Sequence, residues 1–437
     1  MKKVVSAIIS AVLVITIMIC FVLPSFSAKA VSGNNWMSAV SSSAKLTEIN
    51  MPGTHDSCTQ YVNASIISRT QTLSISQQLQ IGVRYFDMRF EKVENGFIAV
   101  HGAANCKVDG SVFADDLTAS QVVADCKAFL AANPTETVLF QLKEDDGDAG
   151  TSFYSSFYDY YIKSNPDIWF IENRIPTLGE VRGKIVLLRA VSLDTSRFDD
   201  SNSGINFSLY PYIGDQTQFN YQRRDIEKTD GTKYASMYVQ DSYRLEGDAK
   251  WTCVSSFLDS ELNPNEFNIC MTNCARISTP QFNAQDINGR LKQYNFQKGK
   301  CYGIVAMDFV TDELCNTVVN TNSGVTVNTA DTTTASAPPS TSASGEIKPS
   351  SKPTTTVKVN EESSTAPQST QESASNEEFE ENTSTSETVE SSSQIGGENS
   401  TTKGKISKVL IISVSAAAVL LLGGAGIAAY FIIKKRK

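Results

Sequence analysis

The feature that most constrains this chain is an alternation of strand-like and helix-like runs between residues 36 and 320. Eight runs are rich in β-branched and aromatic residues, and several have near-continuous apolar centres, as is typical of strands that are buried on both faces. In chain order they read KLTEINMPGT, VRYFDMRFEKV, FIAVHG, TVLFQLKED, KIVLLRA, YASMYVQDSY, EFNICMTN and CYGIVAMDFV.

Helical patterns separate many of these runs. They are SISQQLQIGV, TASQVVADCKAFLAAN, DAKWTCVSSFLDSEL and QDINGRLKQYNFQ. In the second, Thr118 is a suitable N-cap and Pro134 a stop signal. Eight strands with intervening helices predict an α/β fold, a distorted (β/α)8 TIM-like barrel, with a doubly wound sheet as the alternative. The EKVENG link between the second and third runs is too short for a helix and predicts a hairpin, so we expect an irregular barrel.

The segments outside this body have a different composition. Residues 1–30 combine two early lysines, an apolar centre and a small-residue end, which predicts a signal peptide. Residues 321–408 are rich in Ser, Thr and Glu and predict a disordered stalk. Residues 409–433 are apolar and uncharged, long enough for a transmembrane helix, and a basic tail follows at 434–437. We therefore expect an exported domain, residues 31–320, which the C-terminal helix anchors in the bacterial cell membrane with the domain extracellular.

Charge and cysteine content narrow the partners further. Residues 31–320 carry a net charge of −10, which disfavours nucleic acid as a partner. Eight cysteines lie between Cys58 and Cys315, and an even number in an exported domain favours disulfides. The alternative is that several are buried thiols. Cys270 and Cys274 do not have zinc-site spacing, and we predict no metal.

Polar residues occur where the predicted strands end. Because the C-terminal strand ends of a barrel form one face, these residues predict a site there. A single residue of this kind is more typical of a barrel rim, where it forms a salt bridge, but here seven strand ends carry such residues. The residues are His55, Asp56, Asp87, Arg89, His101, Lys143, Arg189, Asp241, Tyr243 and Asp308.

The chain holds only two histidines, His55 and His101. With an ordinary pKa of ~6.5, one imidazole can act as a base and the other as an acid near neutral pH. Arg89 and Lys143 offer cationic donors to an anion such as phosphate. This set suits metal-free cleavage of a phosphodiester by an internal hydroxyl.

Several motifs carry a resemblance to a known family. MPGTHDS, GVRYFDMR with HG twelve residues after Arg89, NPTETVLFQLKED, GKIVLLRA, VQDSY and GIVAMDF occur in order over about residues 46–312. Together they resemble bacterial phosphatidylinositol-specific phospholipase C, a phospholipase C-like phosphodiesterase of the X-domain type.

The resemblance implies a role for each matching residue. His55 would be the general base for the inositol 2-hydroxyl, Asp308 would orient it, and His101 would be the general acid. Asp56 would support the acid step, and Arg89 would bind the phosphate. The products would be diacylglycerol and inositol 1,2-cyclic phosphate. Contacts to the inositol hydroxyls would come from Asp87, Lys143, Arg189, Asp241 and Tyr243.

The resemblance also implies cofactors and partners. We expect no cofactor, since Arg89 stands where calcium-dependent relatives place their cation, although Glu91 shares its strand face and could join a metal site. The substrate would be phosphatidylinositol or a glycosyl-phosphatidylinositol anchor at a membrane surface, and the protein a monomer. Trp169, Phe170 and the loop 207–215 are candidates for bilayer contact, the alternative being that they pack on the barrel.

Two other functions fit the same sequence. One is a metal-dependent glycerophosphodiester hydrolase on the same barrel, which would need acidic ligands where Arg89 stands. The other is a noncatalytic surface module that binds inositol lipids or glycans, which has no need of two histidines beside an arginine.

Overall fold

The computed structural model describes residues 30–327, except 32, 112, 212–220 and 276. The predicted signal peptide up to residue 29, the stalk beyond residue 327 and the predicted membrane span at 409–433 lie outside the described residues. The prediction of a membrane-anchored localisation is corrected, since among the residues described no helix is both long and apolar enough to cross a bilayer.

Strands and helices alternate along most of the described chain. The strands are β1 (Ala30–Val31), β2 (Met51–Thr54), β3 (Tyr85–Val93), β4 (Gly96–His101), β5 (Ala104–Asn105), β6 (Val138–Glu144), β7 (Trp169–Phe170), β8 (Ile185–Arg189), β9 (Ile205–Asn206), β10 (Gln222–Glu227), β11 (Lys233–Gln240), β12 (Phe267–Met271), β13 (Ile304–Met307) and β14 (Thr326–Val327). The α-helices are α1 (Ser65–Ser68), α2 (Ile75–Gln80), α3 (Ala119–Ala132), α4 (Thr151–Phe157), α5 (Leu178–Val181), α6 (Gly247–Asp259), α7 (Pro280–Gln293) and α8 (Asp312–Val319). The predicted cap of α3 is present, because Thr118 accepts a hydrogen bond from the backbone of Gln121.

The sheet confirms the predicted barrel. Parallel strands follow one another in the order β11, β12, β13, β2, β3, β6 and β8; β10 pairs antiparallel with β11, and β9 pairs with β8. The two ends of this sheet meet, because Asn206 in β9 and Asn173 both donate side-chain hydrogen bonds to the carbonyl of Glu227 in β10, at 3.2 and 2.9 Å. A doubly wound sheet would leave its outer strands far apart, whereas here side-chain hydrogen bonds close the seam of a distorted barrel.

Alternation along each strand separates two apolar clusters. One fills the barrel interior, with Met51, Tyr85, Leu139, Val186, Ile269 and Ile304 among its members. The other lies between the strands and the helices, and includes Phe86, Phe140, Leu187, Val305 and Leu314. Asp87 and Arg89 have the same parity as Tyr85, and Lys143 has that of Leu139. These charged side chains therefore belong to the inner face, beyond its apolar part.

The third predicted strand lies off the barrel wall. β4 pairs antiparallel with β3 in a hairpin, as the short EKVENG link predicted, with Phe90 opposite Ala99. This folding back brings His101 to the level of Arg89, since β3 continues past the barrel before it turns. The location predicted for His101 is near the other strand ends, but it comes from an antiparallel strand and not from a parallel one.

The predicted disulfides are absent from the described residues. Cys58, Cys106, Cys126, Cys253, Cys270, Cys274, Cys301 and Cys315 are all free thiols, and all but Cys301 are buried. Most belong to the core between sheet and helices, where a thiol packs as a small apolar group. The buried-thiol alternative is therefore the correct one.

Candidate active site

The sequence PGTHD forms a tight strand end. Gly53 is required in β2, since a Cβ there would lie 2.7 Å from the Tyr85 ring of the neighbouring strand. The chain then turns sharply, with Asp56 at a φ of 43° in the left-handed region. Such a conformation is costly for a residue other than glycine and is often found at functional sites. The turn places the side chains of His55 and Asp56 together at the barrel mouth.

His55 is fixed from its Nδ1 side. Its Nδ1 lies 2.8 Å from Asp308 Oδ1, just past the end of β13. Asp308 is itself held, because Asn288 Nδ2 in α7 donates to its backbone carbonyl at 2.9 Å. With Asp308 accepting from Nδ1–H, the lone pair of the neutral imidazole is on Nε2. This is the arrangement that a general base needs.

Asp56 lies between the two histidines. Its Oδ2 is 3.3 Å from His55 Nε2 and 3.2 Å from His101 Nδ1. Its Oδ1 is 2.6 Å from Arg89 Nε. Two imidazoles from distant parts of the chain thus flank one anionic group, with a guanidinium beside them. His101 Nδ1 also lies 2.9 Å from the carbonyl of Ser68, which fixes its proton on Nδ1 and leaves Nε2 for proton transfer.

A second group of charges surrounds Asp87. Its Oδ2 accepts from Arg89 at 2.9 Å, and its Oδ1 lies 2.9 Å from Lys143 Nζ. The ammonium of Lys143 also lies 4.5 Å from the ring centre of Tyr210, a cation–π contact. Arg89 is the more accessible cation, with 16 % of its side chain exposed against 2 % for Lys143. It therefore faces the mouth, where an anionic substrate would enter.

Burial and charge set the protonation states. Burial and the nearby Arg89 lower the pKa of His55 well below its usual range, so the imidazole is neutral and able to accept a proton. Burial raises the pKa of Asp56 to about 6, although Arg89 and His101 oppose the shift. Burial alone would also raise the pKa of Asp87, but Arg89 and Lys143 together lower it, so this carboxylate stays charged.

One set of ligand-type atoms is close enough to be tested as a metal site. His55, Asp56 and Asp87 each offer an atom within 4.8 Å of the others. Both oxygens of Asp87 already contact cations, and Arg89 holds Asp56 as well. The positive charge in this cluster is therefore supplied by side chains. Glu91, the other candidate ligand, is not a member of the grouping.

The remaining predicted residues differ in how they relate to this cluster. Asp241 is 7 % exposed, and burial raises its pKa. The positive charges of Lys250, Lys143 and Arg89 oppose this shift, which shows that Asp241 interacts with the cations of the cluster. The Tyr243 ring makes a cation–π contact with its neighbour Arg244, whose guanidinium carbon lies 6.0 Å from the ring centre.

Arg189 is not brought into the cluster by its contacts. It shares the parity of Leu187, which faces the helices, and it donates to the carbonyls of Ser203 and Val191 and to the side chain of Asn206. These hydrogen bonds fix the segments that follow β8. The sequence could not reveal this, because a strand end does not disclose which face its last residue takes.

Two further residues at the mouth escaped the sequence analysis. Asp145 lies 3.5 Å from Arg89 and accepts from the backbone of Gly102 at 2.7 Å. It could have been found, since it lies two residues after Lys143 in the same motif. Asn273 Nδ2 lies 3.3 Å from His55 Nε2. A neutral asparagine gives no comparable signal in a sequence.

Known proteins resemble this chain in sequence and in fold. The model of the phosphatidylinositol-specific phospholipase C X domain matches residues 49–190. A 1-phosphatidylinositol phosphodiesterase of Staphylococcus aureus strain Newman is 30 % identical over 52 % of this chain and 70 % of its own length. The chain belongs to the phosphatidylinositol-specific phospholipase C family.

Other relatives agree with this assignment. The 1-phosphatidylinositol phosphodiesterase of Listeria monocytogenes is 26 % identical over 70 % of this chain and 96 % of its own length. A solved phosphatidylinositol-specific phospholipase C from Staphylococcus aureus superposes with a TM-score of 0.53 over 67 % of this chain and 98 % of its own, at 23 % identity. The Listeria structure gives 0.52 over 67 % and 99 %, also at 23 % identity. These superpositions confirm the TIM-like barrel fold.

Proposed function

We propose that this protein cleaves phosphatidylinositol to diacylglycerol and inositol 1,2-cyclic phosphate, with His55 as general base and His101 as general acid. The observation that carries the proposal is the position of Asp56, within 3.3 Å of both imidazoles and 2.6 Å from Arg89. A phosphodiester at the mouth of this cluster would meet a base, an acid and a cation at once. The Listeria and Staphylococcus relatives are 1-phosphatidylinositol phosphodiesterases, which supports phosphatidylinositol as the substrate.

The proton path follows from the tautomers. His55 Nε2 takes the proton of the inositol 2-hydroxyl, whose oxygen attacks phosphorus. The bond between phosphorus and the glycerol oxygen breaks, and His101, acting as the imidazolium with its second proton on Nε2, gives that proton to the oxygen and becomes neutral. Burial raises the pKa of Asp308 well above its usual range, and the cation that His55 becomes, 2.8 Å away, would favour the charged carboxylate.

Arg89 supplies the electrostatic part. Its guanidinium faces the opening and can donate two hydrogen bonds to phosphate oxygens as charge builds on them. The buried carboxylates of Asp56 and Asp87 fix the orientation of the guanidinium from its inner side. Lys143, Asp87 and Asp241 would bind inositol hydroxyls, and the sequence-based assignment of Tyr243 to this group stays a prediction. We do not retain Arg189 in it, because its hydrogen bonds go to other partners.

The lipid would reach this mouth from a bilayer through nearby exposed apolar side chains. Ile66 and Ile67 in α1 are 68 and 44 % exposed, and α1 packs against α7, which carries Phe282 at 64 %. Ile277, at 72 %, lies in the loop between β12 and α7. Ser68 at the end of α1 contacts His101, so this apolar surface adjoins the site. By contrast Trp169, Phe170, Phe207 and Tyr210 are buried, as the packing alternative held, and residues 212–220 lie outside the described residues.

Turnover of phosphatidylinositol by the full-length protein in excess EDTA tests the proposal. We expect release of inositol cyclic phosphate, and comparison of free phosphatidylinositol with a glycosyl-phosphatidylinositol-anchored protein distinguishes the two headgroups. Loss of activity in EDTA would favour the metal-dependent hydrolase, whose ion the grouping of His55, Asp56 and Asp87 would hold. Lipid binding by folded protein without turnover would favour the binding module.

A further inference from the structure

The loop after β12 places an asparagine against the proton-accepting nitrogen of His55. Asn273 Nδ2 lies 3.3 Å from His55 Nε2. The backbone on both sides is fixed, because Thr272 N donates to the carbonyl of Ala306 at 2.9 Å and Ala275 N donates to that of Tyr243 at 2.7 Å. The amide is therefore held at this nitrogen by β13 on one side and by the segment after β11 on the other.

Half of this amide has no partner within the described part of the chain. Asn273 is 5 % exposed, and its Oδ1 is buried without a hydrogen-bond donor among the described residues. A buried carbonyl oxygen in that condition is destabilising, and most such atoms in folded proteins are satisfied. An unsatisfied acceptor beside a reacting group is explained if its donor arrives with the substrate.

Inositol brings hydroxyl donors to this point. For proton transfer, the 2-hydroxyl must come within about 2.6–3.2 Å of His55 Nε2. The Asn273 amide already lies at a similar distance from that nitrogen. The attacking hydroxyl and the amide must therefore be neighbours, and a hydroxyl next to it on the ring is the donor that would suit Oδ1.

We propose that Asn273 is a substrate-binding residue that recognises the inositol ring beside the attacking hydroxyl. In the free enzyme its Nδ2–H donates a hydrogen bond to the lone pair of His55 Nε2. When the lipid binds, the 2-hydroxyl takes this place and Oδ1 accepts a hydrogen bond from a neighbouring inositol hydroxyl. The inference deepens the proposed function and rests on it.

This role predicts a particular pattern of kinetic loss. A hydrogen bond made to the bound ring in the ground state and kept in the transition state raises KM when removed and leaves kcat unchanged. A residue that only supported the fold around His55 would instead lower kcat. Affinity for free myo-inositol separates the two roles directly, because it involves no chemistry.

The test compares Asn273→Leu with a matched variant, Asn316→Leu, in the full-length protein. Asn316 in α8 is also buried, at 4 % exposed, and also has an Oδ1 without a partner among the described residues, while its Nδ2 donates to Asp312. We expect Asn273→Leu to weaken myo-inositol binding about tenfold or more and to raise KM similarly, with kcat within about threefold. Asn316→Leu should leave all three within about twofold of the wild type.

A second variant guards against a folding failure. Asn273→Ser is smaller and too short to reach the same positions, so it should show the same loss of inositol affinity. Unchanged inositol affinity in whichever of the two Asn273 variants is folded by circular dichroism, or a loss confined to kcat, overturns the inference. An inactive wild type in the same assay would count against the proposed function instead.

Discussion

Asp56 Oδ2 lies 3.2 Å from His101 Nδ1, although the strand β3 and its hairpin separate the two residues in the chain. The same oxygen is 3.3 Å from His55, and the other carboxylate oxygen contacts Arg89. A single buried carboxylate therefore gathers the base, the acid and the phosphate-binding cation of the proposed mechanism. Its left-handed backbone shows that this position is reached at some conformational cost.

The two histidines should each be needed for turnover. We expect His55→Ala and His101→Ala to lower kcat on phosphatidylinositol by about 10²- to 10⁴-fold each, since each removes one proton-transfer group. Both variants should keep the wild-type circular dichroism spectrum. Wild-type turnover by either folded variant would contradict the acid and base assignments.

The pH profile should reflect the environment of His55. The base acts only when neutral, and its lowered pKa places the acid limb of kcat/KM below about pH 6.5, where activity falls as the pH falls. Arg89→Met removes one cause of that lowering, so the pKa of His55 should rise. With two histidines in the chain, proton NMR can follow both rings, and His101→Ala assigns them.

Arg197→Gln is the matched control for this titration. Arg197 is an exposed arginine paired with Asp159, and the arginine that lowers the pKa of His55 is Arg89. It should leave the titration of His55 unchanged. A pKa for His55 that stayed put or fell in Arg89→Met would show that the guanidinium does not control the base.

Sequence reasoning captured the barrel because its strands are apolar on both faces. All eight runs read as strands contain an observed strand, and the hairpin after β3 followed from a link too short for a helix. β10 was missed, because QRRDIE is a polar antiparallel strand at the seam, with Arg223 and Arg224 exposed. Only pairing with β11 makes it a strand, and pairing is not encoded in local pattern.

The charged residues of the site could be predicted from the sequence, and the neutral ones could not. His55, Arg89 and Lys143 stand out because charged groups at the ends of apolar strands need partners. Arg189 carries the same signal, but the register of β8 sends it toward other partners. Asn273 carries no such signal and required the fold. The cysteines misled because a count of eight says nothing of the distances between thiols.

A buried ion pair below the barrel should be important for stability. Arg84 and Glu136 are fully buried and 2.9 Å apart, and Glu136 also accepts from the backbone of Met37. Glu136→Gln leaves the guanidinium without its counter-charge, so we expect the free energy of unfolding in urea to fall by about 3–5 kcal/mol. Asp159→Asn breaks an exposed pair with Arg197 and should cost at most about 1 kcal/mol. Equal losses in the two variants would contradict this account.

The apolar surface formed by Ile66, Ile67, Ile277 and Phe282 should determine bilayer binding without taking part in the chemistry. Ile66→Ser and Ile277→Ser each remove a strongly exposed apolar side chain. We expect the double variant to bind phosphatidylinositol vesicles about tenfold more weakly, while its turnover of a soluble short-chain phosphatidylinositol, below the concentration at which that lipid forms micelles, is unchanged. Tyr160→Ser, an exposed position on the segment after α4, is the control. Equal vesicle binding by the wild type, the double variant and Tyr160→Ser would show that this apolar surface does not bind the bilayer.

The free thiols can be counted directly. A fragment spanning residues 31–327 contains eight cysteines, and unfolded without reductant it should release eight equivalents of thiol to Ellman's reagent. In the native state the reaction should be slow, because seven of the eight are buried and burial raises the pKa of Cys270 to about 11 and that of Cys274 to about 12, so little thiolate forms. Reductant should not change the melting temperature. A count of six or fewer in freshly purified protein, restored to eight by reductant, would mean that a disulfide forms after all.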